Sequence, residues 1–156
     1  MTAAMVIRLD DLRHPEVIAL LQEHHRVMHE VSPPGSCHVL DLDGLRQPDI
    51  SFWSVWEGDA LAGVGAIKQL DARHGEIKSM RATAAYLRRG VGRLMLEHIL
   101  AEAARRGYAR LSLETGAQPY FEPARRLYAS AGFAVCPPFA SYKVDPHSVF
   151  MTKALA

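Results

Sequence analysis

Residues 86–93 read Tyr-Leu-Arg-Arg-Gly-Val-Gly-Arg and stand between a strand-like run and a long amphipathic stretch. A turn that holds Gly90 and Gly92 at a helix start leaves backbone N–H groups without acceptors, where the helix dipole also favours negative charge. Arg88, Arg89 and Arg93 flank the same turn, and guanidinium groups suit phosphate recognition. The guest that fits this chemistry is a phosphate or pyrophosphate. No Gly-Lys-Ser/Thr follows the glycines, which excludes a nucleotide-binding P-loop.

Histidines offer a second chemistry. His24, His25 and His29 cluster in one segment, and His25 and His29 are four apart, on one face of a helix. That spacing permits metal binding, but the intervening Arg-Val-Met lacks the glutamate of a zinc-hydrolase helix. The expectation is solvent-facing histidines and no metal. Cys37 and Cys136 have neither metal-ligand spacing nor a disulfide pattern. They suit a reducing compartment, and plain thiols are expected at both positions.

The chain has 156 residues, 49% hydrophobic and 22% charged, with a net charge of +1. That balance describes one globular domain, residues 1–156, and gives no general affinity for nucleic acid or an anionic membrane. Met1–Asp10 lacks the charged and apolar regions of a signal peptide, and no apolar run is long enough to span a bilayer. A cytoplasmic location is expected.

The elements that position these residues follow from periodicity. Met5–Leu9 reads as a strand, and Pro15 to about Val31 as a helix stopped by Ser32-Pro33-Pro34-Gly35. Asp41–Leu45 reads as a short helix. Ile50–Trp56, Ala60–Gln69 and Gly75–Ala82 read as successive strands, the first two joined by the turn Glu57-Gly58-Asp59. Trp53 and Trp56, three apart on a strand, face opposite sides, one in the core and one partly exposed or lining a pocket. After the glycine turn a helix runs to about Arg106, with Val91, Leu94, Met95, Ile99 and Ala103 on one face. Tyr108–Thr115 is a strand, Pro123–Ala131 a helix, and Phe133–Val135 and Ser148–Lys153 the last strands. The fold class is α+β.

Three pieces of this order resemble the GCN5-related N-acetyltransferase (GNAT) family. Gly75-Glu76-Ile77-Lys78-Ser79-Met80-Arg81-Ala82 is similar to its central strand, and Arg88-Arg89-Gly90-Val91-Gly92-Arg93 to its pyrophosphate loop. Leu127-Tyr128-Ala129-Ser130-Ala131-Gly132-Phe133 resembles its recurrent Leu-Tyr-x-x-x-Gly-Phe segment. The resemblance implies a mixed, mostly antiparallel central sheet flanked by helices, with acetyl-CoA as cofactor. It places backbone contacts to the pantetheine arm at Met80, Arg81 and Ala82, and pyrophosphate contacts at Arg88, Arg89, Gly90, Val91, Gly92 and Arg93. Two positions depart from the pattern: Leu87 stands where Gln or Arg usually begins the loop, and Phe121 where an Asn is common.

Acetyl transfer to an amine needs a base for the ammonium proton and an acid for the departing thiolate. The resemblance assigns the acid to Tyr128, against the plain reading of a packed helix aromatic. It leaves the base open between Glu76, where histone-acetylating members carry a catalytic glutamate, and Glu114, where some bacterial members do. Glu76 otherwise reads as an exposed strand residue paired with an arginine. The acceptor implied is a primary amine of a small molecule, amino acid or peptide. The alternative reading is a non-catalytic acyl-CoA-binding or sensing module.

Similar proteins build the acceptor side from the first helix and the loop after it, which would include His38. The connection carrying Phe139, Tyr142, Asp145 and His147 often bounds the acceptor pocket in the family; an ordinary surface loop is the plainer reading. Family members often form homodimers, sometimes through their last strands, a role open to Val149-Phe150-Met151.

Overall fold

Three antiparallel strands form the centre of the molecule: β2 (Ile50–Glu57), β3 (Ala60–Asp71) and β4 (His74–Ala82). Their β-branched and aromatic residues favour this extended, half-buried surface. In the computed structural model, which describes residues 4–155, a seven-stranded sheet has the order β1-β2-β3-β4-β5-β7-β6. Of the opening segment Met1–Asp10, residues 1–3 lie outside the described residues. The outer strands are β1 (Met5–Leu9), β5 (Arg110–Gly116), β6 (Ala134–Cys136) and β7 (Ser148–Ala154). Every pairing is antiparallel except β4 with β5. Strand β7 is paired on both sides, by β5 and β6. Val149-Phe150-Met151 therefore lies inside the sheet, with β6 between it and the edge.

Helices cover both faces. Helix α1 (Pro15–Val31) and the short α2 (Leu42–Leu45) press Val17, Leu20, Leu21 and Leu45 against Phe52, Trp56 and Val64. On the other face, α3 (Val91–Arg105) and α4 (Glu122–Ser130) enclose Trp53, Val55, Ile77, Met95, Ile99, Leu111 and Leu113. Trp53 and Trp56 do face opposite sides, but both are 5% exposed. Each fills one of the two cores, because helices cover this strand on both faces; the expectation that one lines a pocket or surface is corrected.

Two backbone features open the sheet. Strands β4 and β5 pair only at His74–Glu76 with Arg110–Ser112, after which they part. In β4, Ser79 and Met80 oppose the single residue Gly65 of β3, a bulge with Ser79 at φ +55°. Helix α3 rides close on the sheet there: a Cβ on Gly65 would lie 2.6 Å from Met95 Cγ. The bulge turns the edge of Lys78–Ala82 away from β5 and leaves a wedge between parallel strands.

Candidate active site

The wedge is a cavity of 520 Å³. Glu76, Lys78, Met80, Arg81 and Ala82 line it from β4, and Glu114 from β5. Helix α1 adds Glu23, His24 and Met28, and the far wall is Phe121, Ala124 and Tyr128. The structure thus brings together Glu76, Glu114, Tyr128 and the strand Met80–Ala82. Beyond Val64 and Gly63 of β3, which pair with Arg81 and Ala82, that strand has no neighbour on its β5 side. Its outer backbone groups are free to pair with an extended ligand.

Arg88 to Arg93 are outside the cavity lining, beyond Ala84 and Leu87 at its mouth. Gly90 caps α3 at φ +82° with no side-chain cap, and open space lies where its Cβ would be. The N–H groups of Val91, Gly92 and Arg93 therefore begin the helix without intrahelical partners. Gly92 serves packing as well: a Cβ there would lie 3.2 Å from Leu127 Cδ2 of α4. Arg89 pairs with Glu57 at 3.8 Å and stacks on Tyr86, and Arg93 donates to Ser130 Oγ at 2.8 Å. Arg88 is exposed, in the left-handed region at φ +61°. Leu87 is 60% exposed, while Phe121 is buried against Gly116. Arg125 fixes that wall by donating to the carbonyls of Gly116 and Gln118, at 2.6 and 3.0 Å.

The two glutamates differ in their company. Glu76 is buried rather than exposed, and its partner is Lys78 at 3.2 Å, not an arginine. Tyr142 donates to Glu76 Oε2 at 2.5 Å and accepts from Lys78 at 2.8 Å. Glu114 has no such close cation, and burial pushes its carboxyl up to about 7. Tyr128 is buried, and burial raises its hydroxyl above the ordinary phenol range.

Several cavity residues escaped the sequence reading. His24 is 8% exposed, with Nδ1 buried and unpartnered, so the expectation of a solvent-facing residue is corrected. Burial, then the charges of Arg81 and His25, lower its pKa to about 4. Its place on the stripe Val17, Leu20, Leu21, His24, Met28 was the available signal. Lys78 carried no signal, because its partner Tyr142 is 64 residues away. Of the β6–β7 connection, His147 lines the cavity. Tyr142 and Phe139 stack with Phe150, and Asp145 accepts from Ser36 Oγ at 2.5 Å. Cys37 and His38 line the cavity beside that link, whereas Cys136 lies in β6.

Comparison with known proteins gives the class to which this fold belongs. The model of the Acetyltransferase (GNAT) family matches residues 15–133, so the chain belongs to that family. It is 59% identical to an uncharacterized N-acetyltransferase, YsnE, of Bacillus subtilis, over 97% of this chain and 100% of that one. It is 54% identical to an uncharacterized N-acetyltransferase, YedL, of Escherichia coli, covering 96% and 94%. A GNAT acetyltransferase of Elizabethkingia anophelis with acetyl-CoA bound shares the fold at a TM-score of 0.70 and 16% identity, covering 97% and 98%. The protein is an acyltransferase, and acetyl-CoA is its cosubstrate. No helix among the described residues is long and apolar enough to cross a membrane.

Proposed function

We propose that the protein moves an acetyl group from acetyl-CoA to a primary amine of a small molecule, amino acid or peptide, with Glu114 as base and Tyr128 as acid. The observation that carries this reading is the pairing of unlike carboxylates in one cavity. Glu76 is occupied by Lys78 and Tyr142, while Glu114 has a carboxyl near 7 and no close cation. Environments that set two titratable groups apart mark the one fitted to proton transfer near neutral pH.

Acetyl-CoA supplies the acetyl group activated as a thioester. The outer edge of Met80–Ala82 holds the arm, and the N–H groups of Val91, Gly92 and Arg93 hold the pyrophosphate, with Gly90 clearing the approach. Glu114 takes the ammonium proton of the acceptor, directly or through one water. Tyr128, buried and without a hydrogen bond from its hydroxyl among the described residues, donates to the leaving sulfur. The test is release of CoA thiol with a panel of primary amines. Turnover abolished in Glu114→Gln and retained in Glu76→Gln supports the assignment; the reverse pattern overturns it.

A further inference from the structure

Charged groups in the cavity are unequally used. Lys78 has an acceptor for each N–H: Tyr142 Oη at 2.8 Å, Glu76 Oε2 at 3.2 Å and the His38 carbonyl at 3.4 Å. It has nothing left for a ligand. Arg81 differs. Its Nη1 donates to the Tyr120 hydroxyl at 3.1 Å and its Nη2 to Glu23 Oε1 at 3.2 Å. The other N–H groups of this guanidinium have no acceptor among the described residues, although its side chain is only 17% exposed.

His24 stands beside it on α1 and lines the same cavity. It occupies a core position of the helix stripe, yet its buried Nδ1 has no partner. An unsatisfied buried nitrogen is destabilising, so an apolar residue would be the more stable choice here. The groups around it are Arg81, Glu23 and His25, and its imidazole is neutral at physiological pH. It therefore presents one donor and one acceptor rather than a charge.

We propose that Arg81 and His24 form a carboxylate subsite and that the acceptor is a free amino acid, its carboxylate toward Arg81 and its ammonium group toward Glu114. The inference rests on the role given to Glu114 above. A cavity with one cation still rich in donors and one carboxylate in no ion pair among the described residues, the nearby Lys78 being spent on Glu76 and Tyr142, complements a zwitterion. The spacing suits it. Glu76 is level with Ser112, which places Lys78 level with Glu114 and Arg81 three residues further along β4. That is roughly 10 Å along a strand, less across the bulge, and the two long side chains span it. Glu23 marks where a carboxylate meets Arg81; about half exposed, it is able to swing into solvent when a substrate carboxylate arrives.

The experiment measures kcat/KM for each of the twenty L-amino acids and its carboxamide, with acetyl-CoA and CoA thiol release as readout. Wild type is expected to prefer the best acid over its carboxamide by roughly tenfold or more, the effect of one charged contact. Arg81→Gln should erase that ratio, His24→Leu should reduce it, and Glu23→Gln should lower KM for the acid. A ratio near one in wild type, or a ratio that survives Arg81→Gln, overturns the subsite. Because the readout is a ratio within each variant, a general loss of turnover does not imitate the result. Full activity of Glu114→Gln overturns the base assignment instead, and is visible separately from the acid-to-carboxamide ratio.

Discussion

Glu76 and Glu114 stand on one face of neighbouring parallel strands, where those strands part, yet only Glu76 is clasped by a cation and a phenol. Ile77 and Leu113 belong to the opposite core, so alternation directs both glutamates to the cavity. Burial, with the charges of Glu76 and Asp145 added to it, raises the Glu114 carboxyl and outweighs the lowering by Ser148 and by the more distant Lys78.

The rate should therefore follow the ionisation of Glu114. Its carboxyl lies near 7, so kcat/KM should rise about tenfold per pH unit below that value and level off above it. Glu114→Gln should lower kcat about 10²–10⁴-fold and remove this limb. Steady-state kinetics between pH 5 and 9 check both.

The same carboxyl should burden the fold. Its pKa is higher in the folded state than in the unfolded chain, near 4.5, so the folded form prefers the proton. Stability is lost as pH rises through that window and the penalty is complete above 7. Glu114→Gln should then stabilise the protein by roughly 2–3 kcal/mol at pH 8 and leave it unchanged at pH 4. Urea unfolding at the two pH values measures this.

His24 titrates with the opposite sign. Its folded pKa, about 4, is below the ordinary 6.5, so the unfolded chain takes up the proton first. The contribution of His24 to stability should fall as pH drops from 6.5 to 4, so the advantage of His24→Leu over wild type should widen across that range. At pH 7.5 the leucine should raise stability by about 1–2 kcal/mol, through relief of the unpartnered nitrogen.

Tyr128→Phe should bind acetyl-CoA and turn over about 10²-fold more slowly if its hydroxyl serves the leaving sulfur. Thermal shift by acetyl-CoA and single-turnover release of CoA separate the two effects. Unchanged turnover would return Tyr128 to a packing role.

Gly90→Ala should cost about 1 kcal/mol, because alanine is strained at φ +82°. It should also shrink the rise in melting temperature produced by acetyl-CoA, since the turn presents the free N–H groups of α3. Gly58→Ala, at φ +59° in the β2–β3 turn, is the control for backbone strain alone.

The elements were legible in the sequence because their signals are local: alternation in β2, the helical stripe of α3, and glycine turns between them. Helix α1 came out with the bounds its periodicity predicts, Pro15–Val31. Two of the matched segments carry Glu76, Met80–Ala82 and Tyr128, and these line one cavity together with Glu114 of β5. The clasp of Glu76 was not legible, since it depends on Tyr142, 66 residues distant, folding back over β4. The burial of Trp56 and His24 was hidden for a related reason. Only the packing of α1 and α2 over the second face of the sheet decides which polar and aromatic residues lose their water.

Ser36 and Asp145 fasten the loop after α1 to the β6–β7 connection, and Tyr142 seats that connection on β4 against His38. The loop after α1 and the β6–β7 connection are thus a single mechanical unit made from distant stretches of chain. Substrate range in this lineage should change by paired replacements in both loops. A chimera that grafts one loop alone from a relative would lose the acceptors of both, whereas a double graft should carry the donor's preference intact.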